Sequence, residues 1–477
     1  MLFNSIEYIF MFVPIVFIGY FLLNKFKLYE TSKVFLILAS LYFYGSYKIE
    51  YVGIIVLTIL LNYAISKSFQ KDISLPWKKT ILASGIVANI LILYCFRYFS
   101  FVMETLSKLS ICPVDTFKIL MPIGISFFML QQISYIVDCY KQTVKTYTFV
   151  DYTLFVCFFP QLIMGPIVRH QEMIPQFNNI KNKVLNQNNI FIGLFIFTVG
   201  LLKKVVIADE FTPFINYVTD SQVYGNFYIS WLLGLTKILQ GYFDFSGYCD
   251  MAMGSAFLFN ISLPWNFNSP YKATSIIDYW KRWNKTLMRF LQDYVYKPLG
   301  GDKLGEKRDF INVMITFFVY GCWQGMTIPN ILYGVINGIL VCVNKLWAKL
   351  KIEIPRPISI GMTFVTLMFL STLIMARNLG DTARLLKSMV GIGASFEPIS
   401  ILDWKFVFEV KDFTALSISI PILVLAVACV LFLKNSSELS RIYVKANNII
   451  YTCILAIVFV FSVLSITKST EFLYFIF

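Results

Sequence analysis

Apolar runs parted by short basic loops recur along nearly the whole of this chain, and that repetition limits it to one class of fold. The first, Ile6–Leu23, has no positive stretch before it and no small-residue cleavage site after it. It therefore reads as a retained span and not as a signal peptide. Further runs cover Val34–Tyr44, Tyr51–Ile65, Ile81–Phe96, Ile119–Val137, Ile190–Ile207 and Trp231–Phe259, then Ile331–Trp347, Ile360–Met375, Leu416–Leu433 and Ile449–Ile466. A helix needs about 20 apolar residues to cross a bilayer, so the sequence predicts an all-α polytopic membrane protein of roughly eleven to thirteen membrane segments, some short of a full crossing. Lys25, Lys27 and Lys33 follow the first run, Lys67, Lys71, Lys78 and Lys79 the third, and Lys141 and Lys145 the fifth. Positive charge collects on the cytoplasmic side, so the alternation implies an N-terminus outside and a multi-pass protein of the inner or plasma membrane.

Composition closes off other classes. At 57% hydrophobic and 14% charged over 477 residues, the chain is too apolar for a soluble domain. Its net charge of +14 sits in loops, where it fixes orientation, so nucleic acid is not an expected partner. The nine cysteines are scattered singly with no metal spacing, and His170 is the only histidine. No histidine-rich zinc site can be built from that set, and no metal is expected. No internal repeat appears, so residues 1–477 read as a single membrane domain.

Polar residues inside such a chain are costly in lipid and point to function. In MPIGISFFMLQQISYIVDCY, Met121 to Tyr140, Gln131, Gln132 and Asp138 are expected to face protein or water. Phe155 to Phe177 carries three prolines and Gly165, which predicts a break near Gly165-Pro166 and a re-entrant or bent element. In GYFDFSGYCDMAMG, Asp244 and Asp250 need partners, and a buried ion pair with Arg282 or Lys237 is the expected outcome, against a catalytic role. Beyond Asp278, Trp280, Trp283, Asn284, Leu287, Phe290 and Leu291 recur at helical spacing on one face, with Lys281, Lys285, Arg289 and Gln292 on another. That pattern predicts one amphipathic helix ended by Pro298, Gly300 and Gly301. Its basic face suits either the phosphates of an acyl donor or anionic lipid.

These stretches also carry a family pattern. PIGISFFMLQQISYIVDCY, FPQLIMGPIVRHQEMIPQF, FDFSGYCDMAMG, NFNSPY, YWKRWNKTL and DYVYKPLGG, in that order, resemble motifs of the membrane-bound O-acyltransferase (MBOAT) superfamily. The likeness is to the bacterial branch related to the alginate O-acetylation membrane protein and the teichoic-acid D-alanyl transfer protein. The closing EFLYFIF resembles its C-terminus, and the motif-bearing core is residues 121–338. The fold this implies is a helical membrane domain with a central funnel. The implied activity is O-acyl transfer, with acetyl as the expected group, from a cytoplasmic thioester towards an exported cell-surface polysaccharide. Acetyl-coenzyme A or another acyl thioester would be the donor, with no bound cofactor, and an extracytoplasmic esterase-like protein is an implied partner.

The resemblance assigns two polar positions, one just past WxxW and one a histidine in a later WHG motif. Here they are Asn284, to orient carbonyl or acceptor, and Gln324 of GCWQG, to hold the acceptor hydroxyl where the family has a base. Glutamine forms hydrogen bonds but does not titrate near neutral pH, and losing a general base typically costs about 10²- to 10⁴-fold in rate. Trp283 and Trp323 would wall the tunnel, and Lys281, Arg282 and Asp250 are candidate substrate contacts. His170 as a substitute base competes with a structural histidine, and Cys322 as an acyl-carrying thiol with a helix-packing residue. Two other classes stay open: a non-catalytic scaffold or lipid conduit, motivated by Gln324, and a secondary transporter, which lacks the duplicated halves that would support it.

Overall fold

A computed structural model describes residues 1–98, 122–144, 146–220, 224–375, 379–396, 402–403, 418–446 and 449–466. Lys145 and the closing EFLYFIF lie outside the described residues, as does the start of the Ile119–Val137 run. The described elements are helical apart from a parallel pairing of Leu402–Asp403 with Ile418–Ser419. Six helices among the described residues are long and apolar enough to cross a membrane, or seven if the pair Pro421–Leu431 and Ser436–Val444, bent by 82°, is one span. Of the remaining apolar runs, Trp231–Phe259 lies in the long helix Phe227–Leu258, and the others fold into helices of 17 residues or fewer. Contacts divide the chain into two units, Met1–Phe197 with Tyr248–Pro264, and Thr198–Gly247 with Trp265–Phe477.

The first unit packs around aromatic rings contributed by distant parts of the chain. Tyr8, Phe12 and Phe43 meet Phe159 with centroids 5.1 to 6.3 Å apart, and Phe3 packs on Tyr8 and Phe43. The Tyr8 hydroxyl lies 2.7 Å from Ser255 Oγ, so the ring's one polar atom is satisfied. Gln131 and Gln132 face protein, as expected, and Gln132 sits in a polar network. Asn62 Nδ2 donates to Asn89 Oδ1 and to Gln132 Oε1, both at 3.0 Å, while Gln132 Nε2 donates to Thr58 Oγ1 and Gln132 Oε1 also accepts from the Tyr152 hydroxyl. A fully satisfied network of this kind fixes helix register in an apolar setting. Asp138 binds His170 Nε2 at 3.0 Å, and the histidine is fully buried.

The helix expected from Ile119 begins at Ile125 after Gly124, whose φ of +78° only glycine adopts freely. A Cβ there would lie 2.5 Å from the Ile163 carbonyl, so glycine is also required by the close approach. The proline-rich segment breaks as predicted, and earlier too. Phe149–Cys157 ends at Phe158 and the four-residue helix Phe159–Leu162 follows. Pro160 has no amide to donate to Val156 one turn back, so the first helix cannot continue through it. The chain resumes as His170–Asn178, and residues 151–168 are buried throughout.

In the second unit, Glu306–Gln324 and Ile328–Lys349 form a tight helical hairpin. A Cβ on Gly321 would stand 2.7 Å from the Asn330 carbonyl, and one on Gly334 would collide with the carbonyl of Phe317. Small residues thus let the two backbones touch, the usual means of helix association in lipid. Lys345 closes the pair by an ion pair of 2.6 Å to Asp309. The helix Phe227–Leu258 runs for 32 residues, about 48 Å at 1.5 Å per residue, and contributes to both units. The predicted partners of Asp244 require correction: it binds Lys204 at 2.8 Å, and Lys204 also holds Asp209 at 2.8 Å. Arg282 instead pairs with Asp278.

Candidate active site

The stretch predicted as one amphipathic helix is two. Ile276–Trp280 and Lys285–Leu291 are separated by a turn at whose end Asn284 takes left-handed angles, φ +43° and ψ +52°. The apolar periodicity survives the break, because Trp280, Trp283, Leu287, Phe290 and Leu291 are all buried while Lys281, Lys285 and Gln292 are exposed. Left-handed backbone costs an ordinary L-residue about 1–2 kcal/mol, and asparagine is among the few that tolerate it. Periodicity cannot report such a residue, since it disturbs the helix without changing which side chains are apolar.

The loop before this turn clamps it. Asn266 accepts from the Lys285 amide on its carbonyl at 2.9 Å, and its side-chain Oδ1 accepts from the Thr286 amide and hydroxyl at 3.2 and 2.9 Å. The Asn268 amide donates to the Arg282 carbonyl at 3.0 Å. Trp280 Nε1 donates to Asn337 at 3.2 Å and so ties the turn to the hairpin. Trp283 packs edge-on against Phe267, centroids 5.0 Å apart, and stacks with Tyr279 at 5.7 Å.

Held in this frame, Asn284 is fully buried, and neither Nδ2 nor Oδ1 of its amide has a hydrogen-bond partner among the described residues. An orphaned polar group of this kind costs about 1–3 kcal/mol. Buried groups left unsatisfied in a native fold call for an explanation outside folding itself.

Gln324 ends the helix Glu306–Gln324, and its Nε2 donates to the Tyr320 hydroxyl one turn earlier at 2.6 Å. Tyr320 is in turn fixed edge-on to Trp280 at 4.9 Å. Gln324 and Trp283 line one cavity of about 110 Å³ within the second unit, large enough for several waters or an acetyl-sized group. Tyr271, Tyr279 and Tyr333 supply much of its wall, and Tyr271 is anchored by donating its hydroxyl to the Ile238 carbonyl at 2.7 Å. Among the described lining residues, Lys237 is the only Lys, Arg, His, Asp or Glu.

Of the site residues expected from sequence, the structure thus brings Trp283 and Gln324 to one cavity and buries Asn284 next to Trp283 in the chain. Trp323 and Cys322 precede Gln324 on its helix without lining that cavity. Lys281 is exposed, Arg282 is engaged by Asp278 and by the Asn268 carbonyl, and Asp250 is buried in the first unit. Sequence reasoning passed over Tyr320 and treated Lys237 only as an ion-pair partner. Two signals were available: Tyr320 stands four residues before Gln324, the spacing at which helix side chains meet, and Lys237 interrupts an apolar run.

Comparison with known proteins bears on this arrangement. The profile of the MBOAT, membrane-bound O-acyltransferase family matches residues 41–354. The chain is 36% identical to the peptidoglycan O-acetyltransferase of Helicobacter pylori, over all of this chain and 97% of that protein. It is 30% identical to the probable alginate O-acetylase AlgI of Azotobacter vinelandii over 82% of this chain and 79% of that one. It is 24% identical to the teichoic acid D-alanyltransferase of Streptococcus thermophilus over 70% of this chain and 80% of that one. With its motif series, apolar helices and buried polar turn, the chain belongs to the membrane-bound O-acyltransferase family.

Proposed function

We propose that this protein moves an acetyl group from a cytoplasmic thioester, acetyl-coenzyme A or a related donor, towards an exported cell-surface polysaccharide, with peptidoglycan as the leading acceptor. The peptidoglycan assignment follows from the relative that matches the chain along its whole length. The observations that carry the reading are the cavity shared by Trp283 and Gln324 and the orphaned buried amide of Asn284, the next residue in the chain after Trp283. In the reaction the acceptor hydroxyl oxygen bonds to the acyl carbonyl carbon and the C–S bond breaks, giving an ester and a thiol. Asn284 Nδ2 is the donor for the oxyanion that develops on the carbonyl, and such a donor typically contributes about 10²- to 10³-fold. Gln324, its rotamer set by Tyr320, aligns the acceptor hydroxyl. An extracytoplasmic esterase-like protein completes delivery to the glycan.

A second reading, a scaffold without catalysis, is motivated by Gln324, since an amide takes no proton. Membranes carrying the protein, its Gln324→His and its Asn284→Ala variants are supplied with labelled acetyl-coenzyme A, and label is followed into cell-wall glycan. Transfer by the parent that Asn284→Ala reduces about 10²-fold supports the enzyme. Transfer by Gln324→His alone identifies the scaffold.

A further inference from the structure

The proposed reaction leaves one proton without an acceptor. The hydroxyl that attacks the thioester must lose it, and neither Gln324 nor Asn284 can take it. The sole histidine is in the first unit, buried and bound to Asp138.

We propose that Lys237 is the general base of this site, supplying from the long helix Phe227–Leu258 the titratable nitrogen that Gln324 lacks. The inference rests on the acyl-transfer reading above. Lys237, Ile238 and Gly241 form the part of that helix which faces the cavity, and Lys237 and Gly241 are one turn apart on the same face. A Cβ at Gly241 would meet nothing within 4 Å, so the helix leaves open space beside the lysine. The amine is not used up by the fold. It donates a long hydrogen bond of 3.4 Å to Gln240 Oε1, and Gln240 Nε2 is itself committed to Thr212 at 2.8 Å. Asp244, two turns on, is bound by Lys204, and among the described residues no carboxylate pairs with Lys237. The Asp244 charge acts on the amine without an ion pair between them, and a buried lysine not locked in an ion pair is the kind that serves as a base in enzymes.

The step balances with the groups named. The acceptor hydroxyl oxygen bonds to the carbonyl carbon as its proton passes to the neutral Nζ of Lys237. The C–S electron pair leaves with sulfur, and the resulting ammonium returns the proton to the thiolate. Ester and thiol are released and the amine is restored.

The test compares the full-length parent with Lys237→Met, Lys237→Arg, Gln324→His and the double variant Lys237→Met/Gln324→His, in membranes given labelled acetyl-coenzyme A and cell-wall glycan. Chain abundance and melting temperature in detergent are read for each, and Lys237→Gln replaces Lys237→Met if the latter does not reach the membrane. Expected are a loss of about 10²-fold or more in both Lys237 single variants at unchanged melting temperature, and recovery in the double variant to within about tenfold of Gln324→His. Transfer by Lys237→Met within about threefold of the parent, or retained by Lys237→Arg, overturns the proton-accepting role, the second because arginine keeps the charge and cannot titrate. So does a loss that Gln324→His does not rescue. Silence from both the parent and Gln324→His refutes acetyl transfer itself, and the inference falls with it.

Discussion

Replacing Asn284 by glycine separates what this residue does for the fold from what it does for the reaction. Its amide is fully buried with no partner among the described residues, so removing it relieves an unsatisfied group worth about 1–3 kcal/mol. Its φ of +43° is free for glycine, which relieves a further strain of about 1–2 kcal/mol. Glycine's greater freedom in the unfolded chain opposes this by about 0.5–1 kcal/mol. The space vacated by the carboxamide opposes it again, by about 1–2 kcal/mol if the site relaxes only in part. Asn284→Gly is therefore expected to lie between about 1 kcal/mol less stable and about 3.5 kcal/mol more stable, with Asn284→Ala below it by up to about 1.5 kcal/mol, the retained strain less the entropy that only glycine loses. Thermal melting of the purified protein in detergent reads the first quantity, and label transfer from acetyl-coenzyme A the second. Stability within that range, with transfer down about 10²- to 10³-fold, is the result expected of a side chain kept for the transition state. A melting temperature well below the parent's would refute the reasoning, because it would show that the carboxamide is satisfied and structural. Undiminished transfer would remove Asn284 from the site.

Two further substitutions test the frame around the site. Lys204→Met removes the ammonium that holds Asp209 and Asp244, whose side chains are 4% and 2% exposed, and is expected to cost about 3–5 kcal/mol, read as lost abundance in the membrane. Adding Asp209→Asn and Asp244→Asn to that variant should recover much of the loss. Lys183 lies in the Ile180–Lys183 turn, outside the apolar spans, where burial and the nearby charge of Lys33 bring its amine down to about 8. The unfolded chain then binds the extra proton between about pH 8 and pH 10.5, so the lysine's contribution to stability is least below pH 8 and rises across that window. Lys183→Met should gain on the parent in melting temperature at pH 7 and lose that advantage near pH 10; a constant difference would contradict the assignment.

The architecture was legible in the sequence because lipid leaves so few choices. Once backbone groups have no water to bind, an apolar run must be helical, and an Asn, Gln or Asp inside it must find a protein partner. Gln132 and Asp138 did so as their setting required, in Asn62, Thr58 and Tyr152 for the one and His170 for the other. The break in the proline-rich segment was equally local, fixed by amides that Pro160 and Pro166 do not have. The motif order likewise pointed to the family that the profile then matched.

What spacing could not give was any choice made between distant segments. Asp244 had several lysines and an arginine to choose from, and only packing selected Lys204. The bend at Asn284 is held by Asn266, some twenty residues back, and no local pattern announces a clamp of that reach. The same is true of the cavity, whose walls come from Lys237, Trp283 and Gln324 on three separate elements. The sequence by itself determined that the chain lives in a membrane, that it is helical and which polar residues are candidates for chemistry, because burial in lipid is decided residue by residue. Only the tertiary structure decided which of those residues share a cavity and which are absorbed in ion pairs, because those outcomes depend on contacts between segments far apart in the chain.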